Sequence, residues 1–175
     1  MKRIEFTKFY KFCPICGARL GRREENLLIC DNSHQIYINP KITNAVIFEN
    51  ARGQIMLVRR RYPPHTRMWD LPGGFVDLNE NMEESARREI KEELGIEAEG
   101  LEYVASSNDT YEYQGLFHPT ICITFKANAP EEKNIKVTDD IEGYRYFDRD
   151  SIPFDDIGFA SMRKVIERYL SQLSP

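Results

Sequence analysis

The sequence predicts an α/β fold, a sandwich in which a mixed, mostly antiparallel and curved sheet lies between two helices. Three observations predict it. Apolar residues recur at helical spacing over 82–94 and again over 158–170. β-rich runs separated by turn residues fill the chain between and before them. A Cys13-x2-Cys16-Gly17 turn flanked by short apolar runs sets a small β module at the N-terminus. With 175 residues, 41% hydrophobic and 30% charged, the chain can hold one globular domain and about 35 further residues. We therefore divide it into a module at 1–40 and a larger domain at 41–175.

Cys13 and Cys16 place two thiolates on one tight turn, and Cys30 with His34 would complete four N/S ligands. Such a set suits tetrahedral Zn²⁺. Leu27-Leu28-Ile29 and Ile36-Tyr37-Ile38 read as the strands between the knuckles. A redox role for Cys13-x2-Cys16 is the competing reading, but no βαβ pattern surrounds the motif. Residues 1–25 hold seven Lys/Arg against three Glu, a net of +4, in a chain whose formal charge is −4. That arm would attract anionic ligands or nucleic acid, or serve only as a solvated basic edge.

Ile42–Phe48 and Gln54–Arg60 read as a hairpin turning at residues 50–53. Of Arg59-Arg60-Arg61 at its end, Arg59 and Arg61 are the candidate phosphate contacts. Pro63-Pro64 imposes a loop, and Trp69, the single Trp, is assigned to the core.

Gly73-Gly74 then opens the most informative stretch. Asn81 as N-cap, Glu84 three residues on, and Gly95 as a left-handed stop predict a helix over Met82–Leu94. At about 100° per residue, Glu89, Glu92 and Glu93 share one arc beside an apolar arc of Ala86, Ile90 and Leu94. Like charges at these spacings repel, and a divalent cation removes the conflict; hard oxygens suit Mg²⁺ or Mn²⁺. Alone, such a face is ordinarily a solvated charge run. The spacing back to Gly74 and Glu80 changes that reading.

Gly74-x5-Glu80-x7-Arg88-Glu89-Ile90-x-Glu92-Glu93-x-Gly95-Ile96 matches the Nudix box at every specified position. The chain therefore resembles the Nudix hydrolases. The resemblance implies a Nudix-type α/β/α sandwich and a strand-loop-helix that holds Mg²⁺ on diphosphate substrates. It implies that Glu89, Glu92 and Glu93 bind metal, with the Gly73 carbonyl joining the shell. Arg88 would orient a box glutamate, and Glu80 matches the earlier one. The N-terminal module resembles the zinc ribbon that precedes some Nudix domains. There the second knuckle is usually Cys-x2-Cys, so Cys30-x3-His34 departs from the pattern. Tyr37-Ile-Asn39-Pro40 is similar to the junction that joins such ribbons to the catalytic domain.

After the box, Glu102–Ala105 and Ile121–Phe125 read as strands, with Ser106–Pro119 as a long substrate loop. Its Tyr111, Tyr113 and Phe117 are candidates to stack a nucleobase or to cover an apolar edge. Cys122 reads as a buried thiol. Residues 126–140 read as a charged, flexible loop, and Gly143–Phe147 as a strand. Asp140 stands where the family often has an extra acidic metal ligand or base, with Asp139 and Glu142 as rivals. Phe159, Met162, Val165, Ile166 and Tyr169 mark a closing helix.

The reaction implied is hydrolysis of a small-molecule nucleoside diphosphate linked to another moiety, ADP-ribose-like or a dinucleotide. RNA caps and dinucleoside polyphosphates are the alternatives, as is a non-catalytic, nucleotide-sensing regulator that binds nucleic acid. NADH pyrophosphatases share the ribbon but carry an SQPWPFPxS array after the box, and residues 105–111, ASSNDTY, do not match it. Nucleic acid is a less favoured partner and a homodimer an open one. No apolar run approaches 18 residues, which argues against a membrane span, and no export signal is recognisable, which favours the cytoplasm.

Overall fold

The computed structural model describes residues 9–113, 115–138 and 140–173. Residues 1–8 of the basic arm, and Asp139, lie outside them.

The N-terminal module is a three-stranded antiparallel sheet of β1 (Leu20–Arg22), β2 (Leu27–Cys30) and β3 (Gln35–Tyr37). Its interior is small: Leu27, Leu28, Cys13 and Cys30 are its buried apolar residues.

The larger sheet takes β4 (Lys41–Glu49), β5 (Ile55–Arg60), β6 (Trp69–Asp70), β7 (Glu102–Tyr113), β8 (Leu116–Asn128) and β9 (Ile141–Phe147). Strand order runs β6-β5-β4-β8-β7, and β9 pairs with β5. β4 and β8 are parallel; the other pairings are antiparallel. The sheet is thus mixed, as expected.

Period-two alternation sends side chains to two cores. Val46 and Phe48 of β4 and Met56 and Val58 of β5 pack on Ala86, Ile90 and Leu94 of α1 (Met82–Leu94). Ala45, Ile47, Ile55 and Leu57, one residue out of phase, pack on Met162, Val165, Ile166 and Tyr169 of α2 (Ala160–Leu173). Trp69 packs against the second core, edge-on to Phe147 at 5.0 Å.

Helix α1 has the predicted bounds and ends. The Asn81 side chain accepts from the Glu84 N–H and Glu84 accepts from the Asn81 N–H, both at 2.9 Å. Gly95 stops it at φ 68°, its N–H bonded to the Lys91 carbonyl.

Two expected loops are ordered differently. Ser106–Pro119 is not a loop but the outer half of the β7–β8 hairpin, paired as far as Tyr113↔Leu116. Asn108 and Asp109, which look like turn formers, sit within the ladder. Asp109 spends its carboxylate elsewhere: Oδ1 accepts from the Thr110 N–H and Oδ2 from the Ser161 N–H at the start of α2. Residues 126–128 belong to β8, and residues 132–134 form a 3-10 turn. The segment after it is pinned to the end of α1, since Lys136 N donates to Leu94 O and Thr138 N to Glu93 O. β9 also starts earlier than expected, at Ile141.

Candidate functional site

Two sites emerge, one lined by residues of the larger sheet and its helices and one in the N-terminal module. The first begins with the backbone of residues 72–76, which runs along β4. Val46 N donates to Pro72 O, Asn44 N to Gly74 O and Val76 N to Ile42 O. Both glycines are forced by what they touch. Gly73 has φ 139°, and a Cβ there would meet the Asn44 carbonyl oxygen at 2.5 Å. A Cβ on Gly74 would meet the Glu89 carboxylate at 2.5 Å. The close approach brings the Gly73 N–H to Glu93 Oε2 at 3.0 Å.

A cavity of about 290 Å³ opens at this point. Glu89 and Glu93 line it, with Gly73, Gly74, Asp77 and Asp140. Burial pushes Glu93 up to about 8, with Glu89 and Asp70 adding repulsion, against the Gly73 hydrogen bond. Burial also raises Glu89, against the pull of Arg88. Burial makes the charged forms of these two carboxylates costly, and a bound cation would offset that cost. The donor set is hard oxygen, so it fits Mg²⁺ or Mn²⁺.

Glu92 does not line the cavity. Its carboxylate lies 3.0 Å from Arg88 Nη1, on the exposed side of the helix. Arg88 gathers the remaining box acids: Nε contacts Glu80 at 2.6 Å and Nη1 contacts Glu89 at 2.9 Å. Its Nη2 donates to the Phe75 carbonyl at 2.9 Å. Glu80 is held down at about 2 chiefly by these Arg88 hydrogen bonds, and lies off the cavity wall.

Three aromatic rings, Tyr111, Phe159 and Phe75, also line the cavity. Tyr111 and Phe159 face each other nearly parallel, 21° and 6.1 Å between centroids, and Phe75 stands edge-on to Tyr111 at 5.3 Å. Tyr113 stands beside Tyr111, 6.3 Å between centroids, but it and Phe117 are about half exposed and do not line the cavity. Nothing in the sequence marks Phe75, and helical spacing marks Phe159 only as core.

The arginine expectation also shifts by one residue. Arg60, in phase with Met56 and Val58, lines the cavity; Arg59 and Arg61 do not. Arg59 instead reaches the Arg67 carbonyl and Glu142, which leaves Glu142 away from the cavity as well. Asp70, also unforeseen, pairs with Arg60 at 3.0 Å and sits at about 6 because burial outweighs that pairing. Cys122 is buried in the floor, its thiol pushed up to about 11 by burial.

The second site is the only cluster of three or more metal-binding groups among the described residues within 4.8 Å of one another: Cys13, Cys16, Cys30 and His34. His34 Nδ1 lies 3.3 to 3.7 Å from the three sulfurs, and Cys16 Sγ is 3.8 Å from Cys30 Sγ. A tetrahedral Zn²⁺ with bonds of about 2.3 Å to sulfur and about 2.0 Å to nitrogen requires edges of about 3.8 Å and about 3.5 Å. The four atoms fit that ion. Gly17, at φ 73°, lets the first knuckle turn, and its N–H bonds to the Cys13 carbonyl at 2.9 Å.

No helix among the described residues is long and apolar enough to cross a membrane. The NUDIX domain family profile matches residues 40–169. A curated relative from Pseudomonas aeruginosa, "NAD-capped RNA hydrolase NudC", is 25% identical over 171 residues, covering 97% of this chain and 59% of its own length. The NudC of Haemophilus influenzae is 32% identical over 106 residues, covering 58% of this chain and 39% of its own. The chain thus spans little more than half the length of such relatives at most. A NUDIX hydrolase of known structure from Nitrosomonas europaea superposes with a TM-score of 0.68 and 25% identity, covering 93% of this chain and 91% of that one.

Proposed function

Because this chain belongs to the Nudix family, we propose that it is a divalent-metal-dependent pyrophosphohydrolase acting on a nucleoside diphosphate linked to another moiety, ADP-ribose-like or a dinucleotide. The observation that carries the reading is one cavity lined both by the carboxylates Glu89 and Glu93 and by the Tyr111 and Phe159 rings. A phosphate chain and a flat base need those two chemistries side by side.

Glu89 and Glu93 would hold Mg²⁺ or Mn²⁺, with Asp140 and the Gly73 carbonyl as further oxygen donors and Glu92 recruited from Arg88. When bound, the metal offsets the charge on the diphosphate and lowers the pKa of an attacking water. The chain's own part is positioning. The Gly73 N–H fixes Glu93, Arg88 orients Glu89 and Glu80, and the aromatic rings hold the base by stacking. A cavity carboxylate accepts the proton released by water.

At about 290 Å³ the cavity lies at the low end for ligand sites and takes one nucleotide-sized half of such a substrate. The other half would project outward. That accommodates a second reading, a dinucleotide cap on RNA, which rests on the names of the curated relatives. The N-terminal module, residues 1–40, would be a structural zinc ribbon on a catalytic domain of 41–175.

Chromatographic analysis of products from NAD, NADH, ADP-ribose, diadenosine tetraphosphate and NAD-capped RNA, with and without Mg²⁺, tests the proposal. Mononucleotide release that needs the metal is expected. No cleavage of any of the five would overturn it.

A further inference from the structure

Asn44 stands where the strand pattern calls for an apolar side chain. It is in phase with Val46 and Phe48 on β4, the row that packs against α1, and only 3% of it is exposed. Its Nδ2 donates to the hydroxyl of Ser85, a fully buried residue of α1, at 2.9 Å. Its Oδ1 is buried and has no hydrogen-bond partner among the described residues. An unpaired amide oxygen sealed between sheet and helix costs stability, and an apolar side chain of similar size would avoid that cost. The oxygen is also too enclosed to meet a ligand. The amide therefore acts inside the protein, through Ser85.

Ser85 leads on to Arg88. A hydroxyl has one proton and two acceptor positions. Ser85 Oγ donates to the Phe75 carbonyl at 3.3 Å and accepts from Arg88 Nη2, also at 3.3 Å, and from Asn44. Asn44 thus fills one acceptor position, leaves the proton to Phe75 and turns the other lone pair to Arg88. The guanidinium has two groups of partners. Nη2 and Nε hold to the Phe75 carbonyl, Ser85 and Glu80, none of them assigned to the metal. Nη1 holds Glu89 at 2.9 Å and Glu92 at 3.0 Å. Those two carboxylates are wanted by a divalent cation, and a guanidinium free to follow them would compete for the same oxygens.

We propose that Asn44 and Ser85 are positioning residues that anchor Arg88 beside β4, so that Glu89 and Glu92 can leave its Nη1 for a divalent cation. The inference rests on the metal-dependent reading for the identity of the cation. It accounts for a buried amide that the fold alone would be better without. Arg88 suits the arrangement because its planar fork serves the anchor and the carboxylates at once.

The test measures Mn²⁺ affinity by titration calorimetry, and melting without Mn²⁺, on the full chain. The variants are Asn44→Leu, Ser85→Ala, the pair of them, and each single change combined with Arg88→Gln. Loss of the binding heat in Glu93→Gln marks the cavity site. Asn44→Leu should weaken Mn²⁺ binding at least threefold while melting no lower than wild type, because it removes the unpaired oxygen. Ser85→Ala should weaken it at least as much, and the pair should be no worse than Ser85→Ala, because both act through one hydroxyl. Combined with Arg88→Gln, each change should leave the affinity within about twofold of Arg88→Gln alone.

Wild-type Mn²⁺ affinity in either folded single variant overturns the proposal, and lowered melting beside that affinity would make the pair purely structural. Losses of the same size with Arg88→Gln overturn it too. Should Asn44→Leu fail to fold, Ser85→Ala alone and with Arg88→Gln decides. A wild type that binds no Mn²⁺ overturns both this inference and the metal-dependent reading. Mn²⁺ binding that depends on Asn44 and Ser85, in a protein that cleaves none of the five substrates, would uphold this inference and sink the hydrolase reading.

Discussion

The Glu89 carboxylate occupies the space where a Cβ on Gly74 would stand, 2.5 Å from it. The glycine therefore sets where Glu89 can be. The neighbouring Gly73 has a different constraint, because its own Cβ would strike the backbone of Asn44 at φ 139°. The two glycines should fail differently.

Gly74→Ala should fold, since only the end of a side chain must move, while Mg²⁺-dependent turnover falls at least tenfold. Gly73→Ala should instead lose about 1–3 kcal/mol of stability, because backbone cannot give way and the conformation suits glycine. Thermal melting and turnover of the two variants check this. Equal melting temperatures would refute the distinction.

Glu93 gives a pH prediction. In metal-free protein its folded value of about 8 exceeds the ordinary 4.5. A raised carboxyl favours the folded state fully below 4.5 and loses that contribution as pH rises through 8. In chelator, Glu93→Gln should match wild type near pH 4 and exceed it above pH 8, by an amount on the order of 1–3 kcal/mol. Turnover should meanwhile drop by orders of magnitude. Mg²⁺ should raise the wild-type melting temperature and leave the variant nearly unchanged. A pH-independent difference in melting would remove the buried-charge account.

Glu80 runs the opposite way. Its Arg88 hydrogen bonds hold it at about 2, below the ordinary 4.5, so its contribution is present above 4.5 and lost as pH falls through 2. Glu80→Gln should lower the melting temperature at pH 7, and the gap should narrow as pH falls below 4.5. It should also loosen Arg88 from Glu89, costing activity without abolishing it. Wild-type melting in Glu80→Gln at pH 7 would contradict this.

Why these residues were legible, and others not, follows from the range of their contacts. Asn81, Glu84 and Gly95 act within a turn of themselves, so spacing alone set the ends of α1. The outer β7–β8 hairpin depends on cross-strand partners such as Tyr111↔His118, and on Asp109 bonding 52 residues away to Ser161. Local propensity at Asn108-Asp109 points to a turn and loses to that ladder. Three consecutive arginines carry no phase of their own. Only the alternation inherited from Met56 and Val58 turns Arg60, and not Arg59 or Arg61, toward Asp70.

The N-terminal module gives the last prediction. Its sheet has few buried apolar residues beyond Leu27 and Leu28, too little to hold three short strands without help. Four ligand atoms spaced for Zn²⁺ would supply that help, and folding should then depend on metal. Elemental analysis of protein purified without chelator should find about one Zn²⁺ per chain. Cys13→Ser with Cys16→Ser should release it and disorder residues 9–40, read as collapsed amide dispersion there. The larger domain has both its cores, and all the cavity residues lie at 43 and beyond, so Mg²⁺-dependent hydrolysis should survive. If the basic arm steers anionic substrates, the loss should fall on kcat/KM and shrink as salt rises. Complete loss of hydrolysis with amide signals of the larger domain intact would mean that the ribbon supplies part of the active site.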